Sequence, residues 1–115
     1  MTSYDSGDVV LVRFPFTDLE TTKKRPALVV SPREFSDFHG DLVVMALTSQ
    51  DQRDDKLRIV SWKASGLLKP TWIKPLVATI ASVIVDRRLG QIDDADHGSV
   101  RAALDFLIAE PFTRR

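Results

Sequence analysis

At 115 residues the chain is sized for one domain spanning 1–115, with room for a single core but not for separate cofactor and substrate domains. It has no cysteine, which excludes disulfides, thiolate zinc sites, iron–sulfur clusters and a cysteine nucleophile; His39 and His97 lack the i, i+4 spacing of a helical metal pair, so no metal site is expected. Sixteen basic and sixteen acidic residues cancel, so any nucleic-acid site must be a local patch rather than an overall positive coat. No apolar run approaches the roughly 20 residues needed to span a bilayer. The first eight residues lack a basic segment followed by an apolar one, so the expectation is a cytoplasmic protein with no membrane partner.

In chain order, Asp8 to Phe16 is β-branched and apolar and reads as a first strand ending at Pro15, because proline cannot donate to a ladder. Thr17 to Arg25 is polar without a period and reads as a long loop, after which Pro26–Ser31 resumes an apolar run as a second strand. Arg33 to Phe38 is long enough for a helical turn before Gly40, and Leu42–Leu47 reads as a buried third strand ending in Thr48-Ser49-Gln50. Asp51 to Lys56 is a charge-mixed connection, and Leu57–Trp62 alternates like a half-exposed strand before a turn at Gly66.

Thr71–Lys74 and Leu76–Ile80 are β-like pieces separated by Pro75, which predicts a bend or bulge rather than one central strand. Ala81 to Arg87 fits either a short helix or a strand. Val100, Ala103, Leu104, Leu107 and Ile108 form the stripe of an amphipathic helix that ends before Pro111, with Asp93, Asp94 and Asp96 at its positive end. The expected fold is therefore mainly β with a C-terminal helix, a small bent sheet or barrel capped by that helix.

The chain has no Gly-rich phosphate loop, no dinucleotide fingerprint and no Gly-x-Ser-x-Gly elbow, so nucleotide hydrolysis and serine hydrolysis are not expected and no cofactor is. Lys23-Lys24-Arg25-Pro26 gathers three cations at the end of the long loop, where a guanidinium can grip a phosphate with two hydrogen bonds; the alternative is a solvated basic turn. Thr48 and Ser49, at the end of a strand, can donate hydroxyl hydrogen bonds to a phosphate oxygen, although threonine is common at strand ends. Glu20 is the nearest upstream carboxylate in the loop that carries Arg25. Trp72 or Phe16 can stack a base, or can simply belong to the core.

Three runs together, Gly7-Asp8-Val9-Val10-Leu11-Val12, Lys24-Arg25-Pro26-Ala27-Leu28-Val29-Val30-Ser31 and Ala46-Leu47-Thr48-Ser49, resemble the frame of the MazF/PemK-like toxin family. Trp62, Gly66-Leu67, Thr71-Trp72-Ile73-Lys74 and Arg88-Leu89-Gly90-Gln91-Ile92 extend the likeness over nearly the whole chain. The resemblance implies an SH3-like β-barrel of the CcdB/MazF toxin type and a homodimer. It also implies a metal-independent endoribonuclease that cuts single-stranded RNA at short sequences, paired with a MazE/PemI-like antitoxin. Carried onto this chain, the family's catalytic arginine falls on Arg25, its threonine on Thr48 and its loop glutamate on Glu20. Thr17, Lys24, Ser49, Gln50 and Lys74 are expected to contact the RNA.

The chain departs from the family at Lys74-Pro75-Leu76, where some members have an arginine followed two positions on by a reactive aspartate. Leu76 cannot move a proton, which makes Glu20 the candidate base. Two rival readings stay open from the sequence: a non-enzymatic topoisomerase poison on the same barrel, and an inactive nucleic-acid-binding module.

Overall fold

The computed structural model describes residues 3–13 and 23–108. Six strands, β1 (Asp8–Arg13), β2 (Lys24–Val29), β3 (Asp41–Thr48), β4 (Arg58–Ile59), β5 (Thr71–Ala81) and β6 (Val85–Gln91), form one antiparallel sheet in the order β4-β5-β3-β2-β1-β6. Helix α1 (Arg33–His39) links β2 to β3, and α2 (His97–Leu107) closes the described chain. Gly40 stops α1 in the left-handed conformation at φ 71°, its N–H donating to the Ser36 carbonyl at 2.9 Å.

Both faces of the curled sheet are buried, which is why its inner strands read as continuous apolar runs. One cluster joins Val10, Val12, Ala27, Val29, Leu42, Val44, Ala46 and Ile80, with Tyr4 beside them. The other takes the alternate residues Val9, Leu28, Met45, Leu47 and Ile73, and packs them against Ala103, Val100 and Leu104 of α2. The amphipathic stripe read from the sequence is thus the face that α2 lays on the sheet. No described helix is long and apolar enough to cross a membrane.

Three sequence expectations change. The half-exposed strand over Leu57–Trp62 shrinks to Arg58–Ile59, because the backbone N–H groups of Val60 and Ser61 donate not to a neighbouring strand but to the Asp96 carboxylate, each at 2.8 Å. Thr71–Ala81 is one strand rather than two pieces, but the bulge expected at Pro75 is present within it. Met45 pairs with Val77 and Leu47 with Ile73, so two steps on β3 span four on β5, and the proline sits in the resulting bulge, where its missing N–H breaks no regular ladder. The ambiguous segment is both things in succession, a 3₁₀ turn at Ser82–Ile84 and then β6. Pro15 and Pro111 lie outside the described residues.

The sheet's edge strands, β4 and β6, are brought together by a close backbone crossing rather than by a ladder. The segment following β4 passes over β6 so tightly that a Cβ on Gly66 would lie 2.2 Å from the Leu89 carbonyl oxygen, and one on Gly90 would lie 2.4 Å from that of Ser65. Gly66 also has φ +88°, a conformation that side-chain-bearing residues rarely adopt. Gly90→Ala is accordingly expected to destabilise the fold by about 2–3 kcal/mol in urea denaturation, since overpacking against rigid backbone is relieved only by moving a strand. A Gly98→Ala control, where a Cβ meets nothing within 4 Å, should not lower the unfolding midpoint.

Candidate active site

The ends of β2 and β3 form the rim at which the site assembles. Ala27 pairs with Ala46, Leu28 with Met45 and Val29 with Val44; continuing that register by two residues brings Arg25 level with Thr48. Both line a cavity of about 360 Å³ together with Lys23, Ser49, Gln50 and Lys74. Arg25 is not on a loop, as the sequence suggested, but within β2, paired with Val12 across β1. Arg25 is half-buried and its backbone is fixed in the sheet, a rigid origin for a group that must meet a phosphate.

Thr48 is oriented by a local turn. Its Oγ1 accepts from the Gln50 backbone N–H at 3.1 Å, and a hydroxyl that accepts in this way still has its own hydrogen to donate. Lys74 reaches the same cavity from β5 at the bulge around Pro75, since a bulge re-aims the side chains of the strand that carries it. The described lining offers three cations, two hydroxyls and a carboxamide, with no carboxylate. Such a surface attracts an anion and repels a divalent cation.

A second cavity of about 550 Å³ opens from the same rim on the other side of the sheet. It shares Lys23, Arg25, Thr48 and Ser49 with the first and adds Lys24, Lys69, Arg87 and Arg88. In a chain of zero net charge, this concentrates positive charge along one continuous path. Lys24 is held by Asp86 on β6, Nζ to Oδ1 3.1 Å, and Arg88 by the buried Asp8, Nε to Oδ1 3.2 Å. Lys69 and Arg87 carried no sequence signal and Arg88 entered only within the Arg88-Leu89-Gly90-Gln91-Ile92 resemblance; the pairing of β6 with β1 and the crossing of β6 by the 60–69 segment bring all three to the rim.

Of the residues singled out in the sequence, Arg25, Thr48, Ser49, Gln50 and Lys74 converge on one cavity, and Lys24 faces the second. Glu20, Thr17 and Phe16 lie outside the described residues. Trp72 does not join the packing of either core cluster, whereas Trp62 packs against the second.

Comparison with curated proteins by sequence found no match. Among solved structures the chain is similar to a mycobacterial endoribonuclease in complex with its cognate antitoxin, at 18% identity and TM-score 0.72, covering 98% of this chain and 100% of that one. MazF from Deinococcus radiodurans superposes with TM-score 0.74 at 20% identity, covering 93% and 97% of the two chains. The Mycobacterium tuberculosis toxin MazF-mt6 does so with TM-score 0.71 at 14% identity over 87% and 94%. These likenesses establish the fold, a curled antiparallel sheet with a C-terminal helix as in MazF. A family match covers residues 5–108, which include the whole described rim, and by it the chain belongs to the PemK-like, MazF-like toxins of type II toxin–antitoxin systems.

Proposed function

We propose that this toxin is a metal-independent endoribonuclease that cuts single-stranded RNA at the Arg25–Thr48 rim. The observation that carries the reading is the shared cavity in which a strand-borne guanidinium, an oriented threonine hydroxyl and further cations face one another. The similar mycobacterial protein is itself an endoribonuclease.

RNA supplies its own nucleophile, the 2′-OH beside the phosphorus, and that proximity removes much of the barrier of a bimolecular attack. The 2′-oxygen forms a bond to phosphorus as the bond to the 5′-oxygen breaks, the 2′ proton passing to a base and another proton reaching the departing oxygen. The products are a 2′,3′-cyclic phosphate and a 5′-OH end. Arginine keeps its proton in proteins, so Arg25 acts as a donor to the charge that builds on the phosphate oxygens and to the leaving group, not as the base. Thr48 and Ser49 donate to the nonbridging oxygens. The base is assigned to Glu20. Lys24, Gln50, Lys74 and Thr17 hold the strand on either side of the cut.

The same cationic rim suits the acidic segment of an antitoxin that orders on binding, which would cover the RNA path. The mycobacterial relative was solved with its cognate antitoxin, and the Deinococcus radiodurans MazF with MazE.

The decisive experiment incubates the protein with a mixed-sequence single-stranded RNA in EDTA. Cleavage is expected at a restricted set of sites, leaving cyclic phosphate ends, and a single deoxyribose at the cut nucleotide should abolish it. Intact RNA would reject the reading and leave the rival of a non-enzymatic toxin. Thr48→Ala is expected to lower the single-turnover rate about 100-fold, the loss of one oriented donor, and Thr48→Ser to recover most of it. Equal rates for the parent and the alanine variant would remove Thr48 from the chemistry.

A further inference from the structure

Trp72 belongs to a row of side chains that crosses three strands beside the site. Thr48 on β3 pairs with Trp72 on β5, which pairs with Arg58 on β4. Directly opposed residues of an antiparallel sheet point the same way, at steps of about 4.8 Å. Leu47 and Ile73, the paired neighbours of Thr48 and Trp72, are buried in the core on one face, so Thr48, Trp72 and Arg58 share the other. The Arg58 guanidinium carbon lies 6.0 Å from the centroid of the Trp72 ring. Trp72 is half-buried and Arg58 exposed. Two residues beyond Trp72, Lys74 lines the cavity that holds Arg25 and Thr48.

Arg58 stands over the indole at the outer reach of a cation–π contact and is itself exposed, so its side chain can yield that face to a nucleobase while its charge draws the phosphate that accompanies the base. Stacking tolerates any base, so the indole fixes the position of a nucleotide without dictating its identity. One strand step from Thr48 is close enough that the stacked nucleotide must be an immediate neighbour of the phosphate that Thr48 contacts.

We infer that Trp72, with Arg58, forms a stacking subsite for the nucleobase next to the scissile phosphate, an inference that rests on the reading of this protein as an RNA-cutting toxin. The subsite contributes to binding and registration of the strand, and Arg25 and Thr48 act on the phosphate.

The test uses the Trp62→Phe variant, whose single remaining tryptophan is Trp72, and a single-stranded RNA carrying deoxyribose at the cut so that it binds without reacting. Binding should quench the fluorescence of Trp72, and an abasic nucleotide at one position beside the cut should remove the quenching. With cleavable RNA, Trp72→Ala should raise KM about tenfold with little change in kcat, the same loss as the abasic substitution, while Trp72→Phe retains most of the affinity. RNA that binds by fluorescence anisotropy and is cut by the parent, yet neither quenches Trp72 nor loses affinity on Trp72→Ala, overturns the stacking subsite and leaves the ribonuclease reading intact. A parent protein that neither binds nor cuts RNA overturns both.

Discussion

Arg25→Ala is expected to lower kcat/KM for cleavage of a fluorogenic single-stranded RNA by about a thousandfold, leaving the far-ultraviolet circular dichroism unchanged. The size follows from the role proposed for Arg25. Removing one preorganised donor to a developing oxyanion costs about 10²–10³-fold in rate, and here the donor is charged and two-pronged. Arg25→Lys separates charge from geometry. A lysine ammonium keeps the positive charge but not the planar fork, so an intermediate loss of about 10–100-fold is expected. A lysine variant as active as the parent would mean that Arg25 supplies only field. An alanine variant as active as the parent would mean that the rim is not where RNA is cut. Because Arg25 lies on β2 and pairs with Val12 through its backbone, neither substitution removes a ladder hydrogen bond.

The second large effect concerns stability. Asp96 is fully buried, and its two carboxylate oxygens each accept one backbone N–H at 2.8 Å, from Val60 and from Ser61. These bonds end β4 and direct the following segment toward its crossing over β6, where Lys69 joins Arg87 and Arg88 along the rim. Asp96→Ala strands two partly buried donors, and charge-assisted bonds of this kind contribute about 1.5–3 kcal/mol each, so a loss of roughly 3 kcal/mol is expected. At this chain length that corresponds to a fall in Tm of about 12 °C by differential scanning calorimetry. Asp96→Asn should cost nearly as much, since an amide group then faces one of the N–H donors. Asp94, whose side chain is almost fully exposed beside His97, is the control, and Asp94→Ala should leave Tm unchanged. Equal effects at the two positions would refute the tether.

The aspartates illustrate how far the sequence reaches. Asp93, Asp94 and Asp96 read alike as acidic residues at the positive end of a helix. In the structure Asp93 accepts from the Ala95 N–H at 3.2 Å to start a 3₁₀ turn, Asp94 stands in solvent, and Asp96 turns away from its own helix to hold a segment about 35 residues upstream. Helix periodicity could not distinguish these roles, because the partner of Asp96 is set by the packing of α2 on the sheet. Trp72 is a parallel case. Its apolar, β-prone surroundings suit a core position as well as a binding surface, and only its pairing with Thr48 and Arg58 removes it from the core.

The sequence by itself determined the class of fold and the order of most elements, and its resemblance to a toxin family pointed to Arg25 and Thr48, which the structure brings to one cavity. Apolar periodicity, proline and glycine punctuation, and the motif around Arg25 and Thr48 are local properties, written in consecutive residues. The tertiary structure alone decided that Arg25 stands on a strand, that Lys74 turns into the cavity at a bulge, and that the edge strands meet where Gly66 and Gly90 let two backbones touch. It also decided which distant cations line the rim. These are matters of register and crossing, set by pairing between residues far apart in the chain, and a one-residue change in register would move each of those side chains to the opposite face.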